Sequence, residues 1–259
     1  MTLRVLLAAL LLVLPLTARA ATFERCEKPE ILIAEEAFAG AGAIVLVAAA
    51  QVGDTEAYNR WFGTFSRDRA EAVRTNLKAV NTALLSDEMV AVCPNLGEDG
   101  CLRDTYANVY PDQPYVINLC PNFFAQPNMT DHRPGAPELE NGTREGTIIH
   151  EMSHFHVVAD TDDLCYSRSE CARMARRDAL GAIRNADSYQ YFAEDVTFYP
   201  APRPDPGGDP LPDLPIDWPP ADEPSANAPP AEVAPIDRTM LPRASDQGGA
   251  GCLSCRLAR

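Results

Sequence analysis

Histidine is scarce in this sequence, four in 259 residues, and basic side chains are outnumbered, with 22 Lys and Arg against 37 Asp and Glu. The resulting formal charge of −15 excludes a chain built to hold nucleic acid, because a phosphate backbone demands a basic surface. It favours solubility and basic substrates instead. The N-terminal apolar run, Val5 to Leu16, is shorter than the roughly 20 residues a membrane-crossing helix needs. No internal repeat is visible.

What that run does resemble is an export signal, preceded by Arg4 and followed by the small-x-small pattern Ala18-Arg19-Ala20. The mature chain is expected to begin near Ala21, with residue 21 not the cysteine that would mark a lipoprotein. All eight cysteines lie downstream, an even number suited to an oxidising compartment. The expectation is a secreted, extracellular protein, or a periplasmic one if the source is Gram-negative. Asn128-Met-Thr and Asn141-Gly-Thr are glycosylation acceptors in a eukaryotic source.

Pro200 to Pro242 holds 14 of the 23 prolines and few large apolar residues, so it cannot bury enough surface to offset the entropy of ordering. This divides the chain into a signal (1–20), a folded domain (21–200) and an acidic, Pro-rich tail (201–259). The tail carries Trp218 and ends in Cys252-Leu-Ser-Cys255, a lone CxxC that reads as a small local disulfide.

Within the domain, Ile31 to Ala50 reads as a buried helix despite Gly40 and Gly42. A second helix follows a Trp61-Phe62-Gly63 turn, with Ser66 as N-cap and a stripe of Ala70, Val73, Leu77, Val80 and Leu84. Tyr106 to Tyr110 and Tyr115 to Leu119 read as a strand pair. Helices are expected over about 142–158, capped by Thr143, and over 169–185, with a last short helix from Asp187. The class is α+β, mainly helical with a small sheet.

The scarce histidines are concentrated: His150, His154 and His156 fall within seven residues, and only His132 lies elsewhere. His150-Glu151-Met152-Ser153-His154 is HExxH, which on a helix stacks two imidazoles on one face about 6 Å apart along the axis. Both reach one zinc ion, and Glu151 is placed to take a proton from water rather than to bind the metal. His156, two residues past His154, points away from that face.

A catalytic zinc needs a third protein ligand. The spacing HExxHxxGxxH fails, since Val157 and Asp160 stand where glycine and histidine are needed, and Glu170 comes too soon for a glutamate on a following helix. The segment Asp160-Thr161-Asp162-Asp163-Leu164-Cys165-Tyr166-Ser167 offers three rival aspartates. It resembles the GTxDxxYG signature of the aspzincins, the deuterolysin and peptidyl-Lys metalloendopeptidase family. The resemblance extends over roughly residues 24 to 196, including Trp61-Phe62-Gly63, Val109-Tyr110-Pro111 and Asn185-Ala186-Asp187.

The resemblance implies a zincin-like fold, zinc as cofactor, Asp163 as third ligand, and Tyr166 as the donor that stabilises the transition state beside the base Glu151. Asp160 and Ser167 replace the two family glycines. It also implies disulfides between Cys26 and Cys93 and between Cys101 and Cys120; a Cys165–Cys171 bond is suggested by proximity alone. Lysine-selective members hold the substrate ammonium between an aspartate and a glutamate three residues later, positions occupied here by Asp187 and Gln190. The expected function is therefore a secreted, monomeric zinc metalloendopeptidase that acts on proteins or peptides with Lys preferred at P1′. It would have no nucleic-acid partner and no stable membrane association. The competing class is a secreted zinc-binding protein without turnover, in which neither Glu151 nor Tyr166 would be needed.

Overall fold

The computed structural model describes residues 21–131 and 135–198. The signal, His132, and the tail with Trp218, Cys252 and Cys255 lie outside them.

Helix α1 (Lys28–Gln51) starts where Pro29 occupies the first turn and the Glu30 side chain accepts from the Glu27 N–H at 2.7 Å. Only one of its faces is buried, lined by Ala34, Ala37, Ala41, Ile44, Val45 and Ala48, whereas Leu32 and Leu46 are exposed. That corrects the expectation of a buried helix. The helix has the length and apolarity to cross a membrane, yet it packs on three later helices, α3 (Arg67–Leu84), α4 (Arg144–His154) and α7 (Ala186–Phe198). Gly40 is there for approach, since a Cβ would stand 2.6 Å from Glu145 Cγ of α4.

Trp61 and Phe62 are not a turn but the end of a short helix, α2 (Glu56–Phe62), capped by Thr55 Oγ1 accepting from the Tyr58 N–H at 3.1 Å. Gly63 ends it at φ +74, and a Cβ there would meet the Ala175 carbonyl at 2.5 Å, so only glycine serves. In α3 (Arg67–Leu84) the expected stripe is buried from Ala70 to Val80. Ser66 is its N-cap by position, without a capping side-chain hydrogen bond.

The sheet has the order β1-β2-β4-β3, with β1 at Thr22–Glu24, β2 at Val90–Val92, β3 at Ala107–Val109 and β4 at Val116–Leu119. The expected hairpin is β3 (Ala107–Val109) antiparallel to β4 (Val116–Leu119), with Asn108 opposite Asn118. Two three-residue strands were not foreseen: β1 (Thr22–Glu24) and β2 (Val90–Val92), paired in parallel with each other and with β4. The Cys26–Cys93 and Cys101–Cys120 bonds fasten the β1–β2 and β3–β4 ends. Because β4 lies between β2 and β3, β3 ends the sheet on this side, and its three residues are all buried.

Helix α4 (Arg144–His154) is capped as expected, Thr143 Oγ1 accepting from the Gly146 N–H at 3.1 Å. The expected 169–185 helix is two, α5 (Arg168–Arg177) and α6 (Ala179–Ile183), broken at Asp178. The Asp178 carboxylate accepts from the Gly181 N–H at 2.8 Å, the cap role that makes aspartate unfavourable in helix interiors. The last helix, α7 (Ala186–Phe198), is a 13-residue element buried from Ala186 to Val196. It packs against α1, α2, α4 and α5, and its aromatic side joins Tyr58, Trp61 and Phe62.

Candidate metal centre

Helix α4 is pressed onto α7 at Gly146, where a Cβ would stand 2.0 Å from Glu194 Oε1. One and two turns later come His150 and His154, both buried. The chain then reverses after Phe155 with Asp160 at φ +50, and the Thr161 N–H donates to the Ser153 carbonyl at 3.2 Å. Asp162 makes a parallel bridge with Asn185 while its side chain faces solvent. The Asn185 side-chain oxygen accepts from the N–H groups of Leu164 and Cys165 at 2.9 and 3.0 Å. The Cys165–Cys171 bond ties this loop to α5. So clamped, the loop delivers Asp163 to the histidines and leaves the other two aspartates outside. Asp160 pairs instead with His156, both exposed, so His156 is remote from the centre as its spacing suggested.

Three atoms converge: His150 Nε2 and His154 Nε2 are 3.1 Å apart, and Asp163 Oδ1 lies 3.1 and 3.3 Å from them. Each imidazole has its other nitrogen engaged, His150 Nδ1 donating to Asp187 Oδ1 at 2.6 Å and His154 Nδ1 to the Thr161 carbonyl at 2.8 Å. With the protons on Nδ1, both Nε2 atoms present lone pairs toward a carboxylate oxygen. Neither Asp163 oxygen has a hydrogen-bond partner, although both are buried. Three acceptors facing one another in a dry site repel unless a cation stands among them. Their spacing suits a tetrahedral ion, whose ligand atoms at 2.0–2.1 Å are separated by about 3.3 Å.

The electrostatics agree. Burial opposes a charged imidazole at His150, but Asp163 and Asp187 outweigh it and hold the group well above its usual value. His154 is raised too, burial again outweighed, chiefly by Asp163. Asp163 is lowered because the two imidazoles overcome its burial. In the absence of a cation, protons are drawn into the place it would fill.

Glu151 is buried with Oε1 3.9 Å from His150 Nε2. It lines an open cavity of about 400 Å³ together with His150, Tyr166, Asp187 and Gln190. The structure thus gathers every candidate residue at one site, but with roles the sequence did not reveal. Asp187 is bonded to a histidine of the centre, and Gln190 Nε2 stands 3.4 Å from Glu194 Oε1. Asn185 entered the sequence reading only within a family landmark and the Thr161 carbonyl not at all; the Asn185 side chain serves Leu164 and Cys165, some twenty residues earlier.

A family model described as lysine-specific metallo-endopeptidase, the aspzincins, matches residues 47–194. The chain belongs to this family. An extracellular protease of Aeromonas hydrophila is 37% identical over 139 residues, 54% of this chain and 36% of that protein. A peptidyl-Lys metalloendopeptidase of Pleurotus ostreatus is 33% identical over 141 residues, covering 54% of this chain and 74% of the relative. This chain therefore spans only about a third of the Aeromonas protein's length. A solved zinc peptidase from Grifola frondosa superposes with a TM-score of 0.56 at 25% identity, over 66% of this chain and 98% of that one. The α+β zincin-like class holds accordingly.

Where the aspzincin signature has its two glycines this chain has other residues at positive φ: Asp160 at φ +50 and Ser167 at φ +66, ψ 154. The second conformation is one that only glycine adopts readily, at a cost of about 1–3 kcal/mol for other residues. Ser167→Gly is expected to raise unfolding stability by about 1 kcal/mol, after allowing for the weak cap to Glu170 N–H and the looser unfolded chain. Urea melts check it, and a loss of stability would show that the serine hydroxyl outweighs the strain.

Proposed function

We propose that this protein is a secreted, zinc-dependent endopeptidase in which His150, His154 and Asp163 hold the metal. The observation that carries the reading is the convergence of two imidazole nitrogens and a carboxylate oxygen at 3.1–3.3 Å in a buried site open to a cavity. When bound, zinc supplies Lewis-acid polarisation of the scissile carbonyl and a water acidified to near neutrality. Glu151 takes the proton of the attacking water and returns it to the departing amine. Tyr166, on the cavity wall, donates a hydrogen bond to the oxygen that gains charge. Ala107 of β3 also lines the cavity. A carboxylate-lined cavity supports preference for a basic residue at P1′. Export is supported by the signal-like N-terminus and by three disulfides.

Purified protein is expected to cut an unfolded protein such as casein, to stop on adding a zinc chelator, and to recover with zinc. Hydrolysis indifferent to chelation, or none in the zinc-loaded protein, rules the reading out.

Two further outcomes concern the metal. Asp163→Ala should lose zinc, Asp160→Ala should retain it, and Asp187→Asn should weaken zinc binding about 10- to 100-fold by releasing the His150 ring. Zinc stoichiometry on dialysed proteins distinguishes them. The second outcome concerns pH. A histidine raised by folding stabilises the metal-free protein fully below about pH 6.5 and loses that effect as pH rises through the raised value. The lowered Asp163 stabilises above about pH 4 and fails as pH falls through its depressed value, the same ion pair seen from its other end. Because zinc must displace these protons, the rise in Tm on adding zinc should be larger at about pH 8 than at about pH 5.5. Equal shifts in thermal melts would show that the imidazoles are not the ligands.

A further inference from the structure

Three carboxylates line the catalytic cavity, those of Glu151, Asp187 and Asp104. Glu151 belongs to the hydrolytic step. Asp187 has one oxygen on His150 Nδ1 at 2.6 Å, and its other oxygen lies 3.9 Å from Cys171 Sγ of the Cys165–Cys171 bond. Burial, and then the nearby negative charge of the same carboxylate, hold the Tyr191 phenol well above its usual value. The charge of Asp187 is therefore already engaged by the metal-site imidazole, and a substrate cation would have to compete with it. Gln190 offers a neutral amide, turned toward Glu194 and packed so tightly on Gly142 that a Cβ there would stand 1.7 Å from its Nε2.

Asp104 differs from all of these. It is exposed, and among the described residues its side chain makes no hydrogen bond or ion pair. It is nonetheless held in place. The 102–105 turn is closed by Thr105 N–H donating to the Leu102 carbonyl at 3.2 Å and Leu102 N–H donating to Thr105 Oγ1 at 3.3 Å. The Asn122 amide donates to the Arg103 carbonyl, and the Cys101–Cys120 bond fixes the turn's start against the end of β4. The turn leads into β3, so Asp104 stands at the mouth of the cavity beside Tyr106 and Ala107.

We infer that Asp104 is the specificity-determining carboxylate of this cavity, receiving at its rim the ammonium or guanidinium of a basic P1′ side chain. The apolar stem of such a side chain lies along Tyr106 and Tyr191 while its charged head stays near water. This rests on the peptidase reading and deepens it. Selection at an exposed rim is weak and screened by salt, unlike selection by a buried carboxylate.

The test uses two peptides identical except for Lys or norleucine at P1′, bound to zinc-loaded Glu151→Gln protein and followed by fluorescence anisotropy. At about 0.02 M salt the Lys peptide should bind about two- to five-fold more tightly, and the preference should shrink at about 0.5 M. Adding Asp104→Asn should abolish it, and Asp104→Lys should reverse it in favour of a Glu peptide. A Lys preference that survives Asp104→Asn, or no preference in Glu151→Gln at low salt, overturns the inference. Hydrolysis by the wild type reports separately: if neither peptide is cut, the peptidase reading fails, whereas cleavage whose Lys-to-norleucine ratio ignores Asp104 sinks only the assignment of the rim.

Discussion

Glu151→Gln should reduce peptide hydrolysis by about 10²- to 10⁴-fold while zinc stays bound at wild-type stoichiometry. The carboxylate is buried with an oxygen 3.9 Å from His150 Nε2, near the metal position but outside the set of three converging atoms. An amide of the same shape keeps the packing and removes the proton acceptor. It also separates the two functional classes that the composition left open, because a zinc-capture protein has no use for a base. Paired measurements of kcat/KM and of bound zinc decide the matter. Activity within a few-fold of wild type would remove Glu151 from the chemistry, and loss of zinc would recast it as a ligand.

Arg168→Met should destabilise the fold by about 3–5 kcal/mol, the cost of leaving buried charges unpaired. The Arg168 guanidinium pairs with Glu194 and Asp195, both inaccessible, and its Nε donates to the Leu139 carbonyl at 3.0 Å. The plane stacks 4.8 Å from the Tyr191 ring and 5.7 Å from Trp61, whose Nε1 donates to Asp195 at 2.7 Å. Glu194 in turn accepts from the N–H and hydroxyl of Thr143 at 2.9 and 2.8 Å, so the network ends on the cap of the HExxH helix. Since Arg168 follows Tyr166 by two residues, the same side chain anchors the loop that carries the tyrosine. Burial already raises Glu194 above the usual carboxylate range against the pull of Arg168. Without Arg168 that carboxyl should take up a proton, making the defect smaller at acid pH. Urea denaturation at two pH values measures both effects, and a loss below about 1 kcal/mol would mean that the network contributes little.

Such a network illustrates where sequence reading stops. Asp187, Gln190, Glu194 and Asp195 are four polar side chains whose own segment gives no sign that they are buried, whereas α7 is buried along most of its length. Each polar group is satisfied by a partner from elsewhere: His150, Thr143, Arg168 and Trp61. A burial pattern created by remote partners leaves no periodicity in the segment itself. The two parallel strands escaped for a similar reason, since three residues carry no usable alternation and their pairings join segments far apart in the chain.

By itself the sequence determined what short-range physics controls. Two histidines four residues apart share a helical face, and Thr143 caps that helix through its own third neighbour. The apolar stripe of α3 repeats at helical spacing, and two β-prone runs joined by a short turn pair with each other. Among Asp160, Asp162 and Asp163 it offered three equivalent carboxylates, separable only through the family resemblance. The tertiary structure made the choice: a left-handed turn at Asp160, a bridge from Asp162 to Asn185, and an Asn185 side chain that pins Leu164 and Cys165. The first restraint is local and the other two come from Asn185, between α6 and α7 and some twenty residues on; together they aim Asp163 alone at the imidazoles. The same fold sets Asp187 on His150 and leaves Asp104 at the cavity mouth, because a carboxylate's role follows from what is packed against it.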